Sequence, residues 1–176
     1  MTLELPETIS RGQLKAAAIP PRFWTLTEDP FPTLPIAHVW WEQRAAMAQM
    51  GRGLIGGKPS LPALVAILKR LLRDPFRPRI MSGEDSPCLY VEAPDIYAGK
   101  TFEISELQRL VFEAPYLVLA NVGQQFNGRA VSVMEYTLRR RFQNGTVSFV
   151  HLDPDNESTT AVQQLSSSIP MGMFLL

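Results

Sequence analysis

Cysteine and histidine are scarce in this chain of 176 residues, which has only Cys88, His38 and His151. A disulfide framework or a zinc ribbon within one chain is thereby excluded, and the cysteine usage fits a reducing cytoplasm. Net charge is missing as well, since 17 Lys and Arg stand against 17 Asp and Glu. Proteins whose main task is to hold nucleic acid or an anionic membrane carry an excess of cations, so neither partner is favoured. The opening stretch to Ala18 carries Glu4 and Glu7 and has no continuous apolar core, unlike a signal peptide or anchor. The longest uncharged stretch, Ser158 to Leu176, is too rich in Ser, Thr and Gln to span a bilayer. No GxSxG, HExxH or paired CxxC occurs.

What is present in quantity is proline, 15 residues, with 11 glycines. They imply irregular chain between short elements rather than long helical bundles. The length suits one domain with a self-sufficient core, or one domain and an arm. Split after Arg79, the neutral total resolves into two opposed parts. Residues 1–79 hold 11 basic and 6 acidic side chains, net +5, and residues 80–176 hold 6 and 11, net −5. Such asymmetry suits two surfaces attracted within the fold, or copies stacked head to tail.

Residues 1–35 read as an extended, Pro-rich arm, with Pro20, Pro21, Pro30, Pro32 and Pro35 blocking regular structure. Its Phe23, Trp24 and Phe31 need a surface to cover, on the chain's own domain or on a partner. From Ile36 to Met50 the apolar residues recur at helical steps, and Gly51 and Gly53 end that helix. Ser60 as N-cap, Pro62 in the first turn and the stripe Leu61, Leu64, Val65, Leu68, Leu71, Leu72 predict a second helix, stopped at Asp74-Pro75. Cys88 to Glu92 reads as a short strand. Ser105 with Gln108 forms a capping box before Leu107, Leu110 and Val111, predicting a third helix that Pro115 ends.

Beyond Pro115 come Tyr116 to Leu119, Asn127-Gly128, Val131 to Phe142, Asn144-Gly145 and Thr146 to Leu152. Two Asn-Gly turns between β-rich runs predict hairpins, hence a three-stranded antiparallel meander. A capped helix from Ser132 and Glu135 to Gly145 competes for the middle run. The expected fold is therefore α+β: an antiparallel β-meander packed against about three helices, with the extended arm at 1–35. The domain would run over 36–176, with a helical part at 36–74, a mixed part at 88–152 and an uncharged tail at 153–176.

Candidate chemistry is sparse. Gly51-Arg-Gly-Leu-Ile-Gly56-Gly-Lys58 comes close to a phosphate loop, but a helix is expected before it and Pro59 stands where Ser or Thr would help hold magnesium. A flexible loop between helices is the preferred reading. In the expected meander Arg140 and His151 share a mostly apolar face, where Arg140 would stack on Phe149, pair with a carboxylate or meet an anion. His151, Asp153, Asp155 and Glu157 read as a solvated acidic turn rather than a metal site, and Cys88 as a small buried hydrophobe rather than a nucleophile. The cations from Lys69 to Arg79 read as a solvated helix end facing the acidic half.

The run from Ile104 to Leu119, Asn127-Gly-Arg-Ala-Val131, Arg139 to Arg141 and Val147-Ser-Phe149 resembles the closing third of the UTRA effector domain of HutC-type regulators, which has the chorismate-lyase-like fold. Ser132 and Leu138 depart from the family's pattern. The resemblance implies a small-molecule pocket on the meander, with Arg139 or Arg140 meeting an anionic effector. The preferred function is a non-catalytic interaction or assembly subunit, with a protein partner or self-association through Phe23, Trp24, Phe31, Met173 and Phe174. The alternative is a binding domain for an anionic ligand at Arg139, Arg140 and His151. No cofactor, metal or membrane is expected.

Overall fold

The computed structural model describes residues 9–25, 35–74, 86–97, 106–124, 126–153, 160, 165 and 174–175. Helix α1 spans Arg11–Ala16 and opens on a reciprocal cap, in which the Gln13 N–H donates to Ser10 Oγ and the Ser10 N–H to Gln13 Oε1. A 3-10 turn follows at Pro21–Phe23. The apolar periodicity of 36–50 folds as two short helices, α2 (Pro35–Glu42) and α3 (Arg44–Gln49). Strand β1 (Leu54–Gly56) runs through a 3-10 turn at Lys58–Ser60 into α4 (Leu61–Arg73). Then come β2 (Cys88–Glu92), α5 (Ala93–Tyr97), α6 (Glu106–Glu113), β3 (Tyr116–Val122), α7 (Gly128–Gln143), β4 (Val147–Leu152) and β5 (Phe174–Leu175).

The five strands lie in the order β2-β3-β4-β1-β5, and every described pairing is parallel. Side chains alternate between two cores. Leu54, Tyr90, Val118 and Phe149 face α1 to α4, while Ile55, Leu89, Val91, Leu119 and Val150 face α5, α6 and α7. Both faces are covered, so the strands are mainly apolar on both sides and show no regular polar alternation. Gly53 brings β1 against β4: a Cβ there would sit 1.8 Å from the Ser148 carbonyl oxygen.

The antiparallel meander and the α+β class are therefore corrected to a parallel, three-layered α/β fold. The middle run is the sixteen-residue helix α7, a crossover that makes β3 and β4 parallel neighbours. The two Asn-Gly pairs bracket that helix. Asn127 is its N-cap, accepting from the Ala130 N–H, and Gly145 at φ +72° closes its far end. The competing helical reading had the right element type but began it too late; Ser132 donates to the Gly128 carbonyl inside the helix. The described part of the arm is corrected too. Residues 9–25 are not extended but helical in part, and Leu14, Ala17, Ile19 and Phe23 are buried in the core. Among the described residues no helix is long and apolar enough to cross a membrane.

Candidate functional site

The carboxyl ends of β2, β3, β4 and β1 lie side by side, and each places one polar group at that edge. Open parallel sheets bind ligands outside these ends. At the end of β2, Glu92 accepts 2.8 Å from the Tyr90 hydroxyl and lies 3.3 Å from the Arg22 guanidinium. At the end of β3, the Asn121 Nδ2 donates to the other oxygen of Glu92. The Asn121 N–H donates 3.0 Å to Nδ1 of His151 on β4, and Nε2 of His151 lies 3.1 Å from the Lys58 carbonyl beyond β1. Because Nδ1 accepts from an amide, the ring proton belongs on Nε2, where it donates to that carbonyl.

A backbone irregularity makes this chain of contacts possible. Leu119 pairs with Val150 and Val122 with Leu152, so β3 carries one extra residue opposite His151. Asn121 takes up the bulge at φ 59°, a left-handed conformation that asparagine tolerates better than most residues. Tyr90 is buried and its pKa is pushed well up, first by burial and then by its hydrogen bond to Glu92 and that carboxylate's charge.

The predicted site residues are not brought together. His151 is buried at the carboxyl end of β4. Arg139 and Arg140 are exposed in the last turns of α7, just ahead of the start of β4 and so toward the opposite edge. The Arg140 guanidinium sits 6.0 Å from the Phe112 ring centre, not on Phe149. With a helix in place of the meander's strand, an effector pocket of the UTRA kind has no floor to stand on, and that reading is withdrawn. Phe23 and Trp24 serve their own fold: Phe23 packs 6.1 Å from Tyr90, and Trp24 Nε1 donates to the Ile19 carbonyl. Phe31 and Met173 lie outside the described residues, and Phe174 contributes backbone pairing to Leu54. Cys88 is buried at the start of β2, far from His151 at the end of β4. Of the acidic turn, Asp155 and Glu157 lie outside the described residues.

Sequence reasoning missed Glu92, Asn121 and Arg141. Arg141 is 0% exposed and donates to the Val111 and Val147 carbonyls and to Ser148 Oγ. Its position was legible, because steps of four and three residues from Met134 and Leu138 lead to it on the buried face of α7.

A parallel sheet covered by helices on both faces, with a strand–glycine turn–helix unit at its carboxyl edge, defines the class of α/β folds in which phosphate loops occur. Within that class, the fold is similar to the DnaC helicase loader (TM-score 0.56, 16% identity, 85% of this chain and 90% of that one). It is likewise similar to DnaI (TM-score 0.56, 16% identity, 95% and 94%). No family model and no curated protein matches the sequence.

The class raises the question of a nucleotide. The expected helix, α3, does stand before Gly51, but the run itself contains β1, so the turn at Gly57 follows a strand and occupies the right place in the fold. Its chemistry does not fit. A phosphate loop offers free backbone N–H groups, a lysine and a Ser or Thr hydroxyl for magnesium, with an acid at a neighbouring strand end. Here Pro59 has no N–H, and both the N–H (2.9 Å) and the hydroxyl (2.6 Å) of Ser60 point at the Gly57 carbonyl. The end of β3 presents Ala120 and Asn121, not a carboxylate.

Proposed function

We propose that the chain is a non-catalytic assembly subunit whose partner is a helicase-type protein. The observation that supports this is the likeness of fold along almost the whole chain to the DnaC helicase loader and to DnaI, combined with a turn in which Pro59 has no N–H and both donors of Ser60 are closed on Gly57. Large side chains stand at the surface on several elements, among them Ile36 and Val39 on α2 and Tyr136, 57% exposed, on α7. They provide apolar anchors for a protein interface.

The test is light scattering coupled to size exclusion, with the full chain alone and mixed with a helicase of the same source at micromolar concentration. A complex of defined mass supports the reading. Separate elution of both proteins, or nucleotide hydrolysis by the chain above background, overturns it.

A further inference from the structure

We infer that the carboxyl edge of the sheet holds an internal polar chain, Arg22–Glu92–Asn121–His151–Lys58, in place of a nucleotide, and that this chain fastens the N-terminal segment to the sheet without any ligand. Its links follow the order of the strands. Glu92 ends β2, Asn121 sits at the end of β3, His151 near the end of β4, and Lys58 two residues past β1. Each donor meets an acceptor. Arg22 and Tyr90 reach one oxygen of Glu92, Asn121 Nδ2 reaches the other, the Asn121 amide reaches Nδ1 of His151, and Nε2 reaches the Lys58 carbonyl.

The bulge is what distinguishes this arrangement from a site waiting for a ligand. A regular β3 would continue its ladder past β4, and the extra residue instead turns the Asn121 amide onto an imidazole and its side chain onto Glu92. The hydroxyl that a nucleotide's magnesium would need is spent inside the turn, where both donors of Ser60 are closed on the Gly57 carbonyl, and His151 holds the turn in place through the Lys58 carbonyl. A magnesium-bound phosphate at the turn would have to draw the buried Ser60 hydroxyl away from the Gly57 carbonyl.

The same chain of contacts reaches the arm. Arg22 lies in the 3-10 turn Pro21–Phe23, and five residues earlier the Ala17 carbonyl accepts from the Tyr90 N–H at 2.8 Å. Opening the edge therefore loosens residues 17–23 from β2. The inference does not depend on the proposed helicase partner; a chain that binds helicase and nucleotide together would lose this inference and keep that reading.

The experiment uses the full chain with ATP or ADP, each with magnesium, in thermal denaturation and in limited trypsin digestion followed at Arg22 by mass spectrometry. The expected result is an unchanged melting temperature and an unchanged cleavage rate with either nucleotide. Asn121→Gly keeps the left-handed backbone but removes the amide that holds Glu92, so it should speed cleavage at Arg22 several-fold, equally with and without nucleotide. Glu92→Gln, which keeps its acceptor oxygen and loses the charge facing Arg22, is the milder variant and should give a smaller increase should Asn121→Gly fail to fold. A rise of about 5 °C or more with nucleotide at saturating concentration overturns the inference. So does protection of Arg22 by nucleotide, or a cleavage rate that neither variant changes.

Discussion

Arg141 shows how a single side chain can hold three elements together. Its guanidinium ties α7 to α6 through Val111 and to β4 through Val147 and Ser148, with no carboxylate among these partners. Burial lowers its pKa to about 9, which still leaves it charged at neutral pH. Arg141→Ala would leave two carbonyls and a hydroxyl without a donor at about 1–3 kcal/mol for each buried group, so a loss of at least ~3 kcal/mol is expected in urea denaturation. Tyr90 carries a pH-dependent term. The fold keeps its phenolic proton beyond the usual value of 10, so that stabilisation is fully present below pH 10 and is lost as pH rises toward the raised value. Tyr90→Phe should therefore flatten the fall in melting temperature between about pH 9 and about pH 11 relative to the parent chain. Burial lowers the pKa of Lys69, an effect of opposite sign common to both proteins, so the difference between the curves isolates Tyr90.

At the scale of elements, α7 is fixed by its two ends. Asn127→Ala removes the N-cap and should cost ~1 kcal/mol, and Gly145→Ala, at φ +72°, should cost about 1 kcal/mol or more. The caps lie at opposite ends of a sixteen-residue helix, so chemical denaturation of the double variant should give their sum. These same residues explain what the sequence concealed. An Asn-Gly pair supplies a capping side chain and a positive φ whether it closes a hairpin or bounds a helix, and nothing within four residues decides between them. The helix at 61–73, the helix after Ser105 and the strands at 88–92, 116–122 and 147–152 were legible, because each carries its own periodicity or apolar run. Their parallel pairing was not, since direction is set by the crossover helix and by distant partners. Strand β1 has three residues inside a glycine-rich run, too few for a pattern. The edge was hidden for a related reason. His151 stood out as polar on an apolar strand, but its partners are a backbone amide and a backbone carbonyl, and Glu92 and Asn121 belong to no motif.

At the scale of the molecule, the opposed charges of the two halves meet at Arg22 and Glu92, the point where the N-terminal segment joins the sheet. That segment is not an appendage. Leu14, Ile19 and Phe23 are buried against α4 and the sheet, and the Phe23 and Trp24 carbonyls both accept from Lys69, which is 2% exposed. Deleting residues 1–25 removes three large buried side chains, each contributing ~1.5–3 kcal/mol, together with both of those acceptors for the Lys69 ammonium. The total is comparable with the about 5–15 kcal/mol by which a typical domain is stable. The truncated chain should therefore show no cooperative melt in circular dichroism and should aggregate on size exclusion. A cooperative transition near that of the full chain would disprove the packing role. Loss of partner binding on truncation would consequently report unfolding rather than a missing interface, and the informative variants are surface changes such as Tyr136→Ala, which leave the core intact.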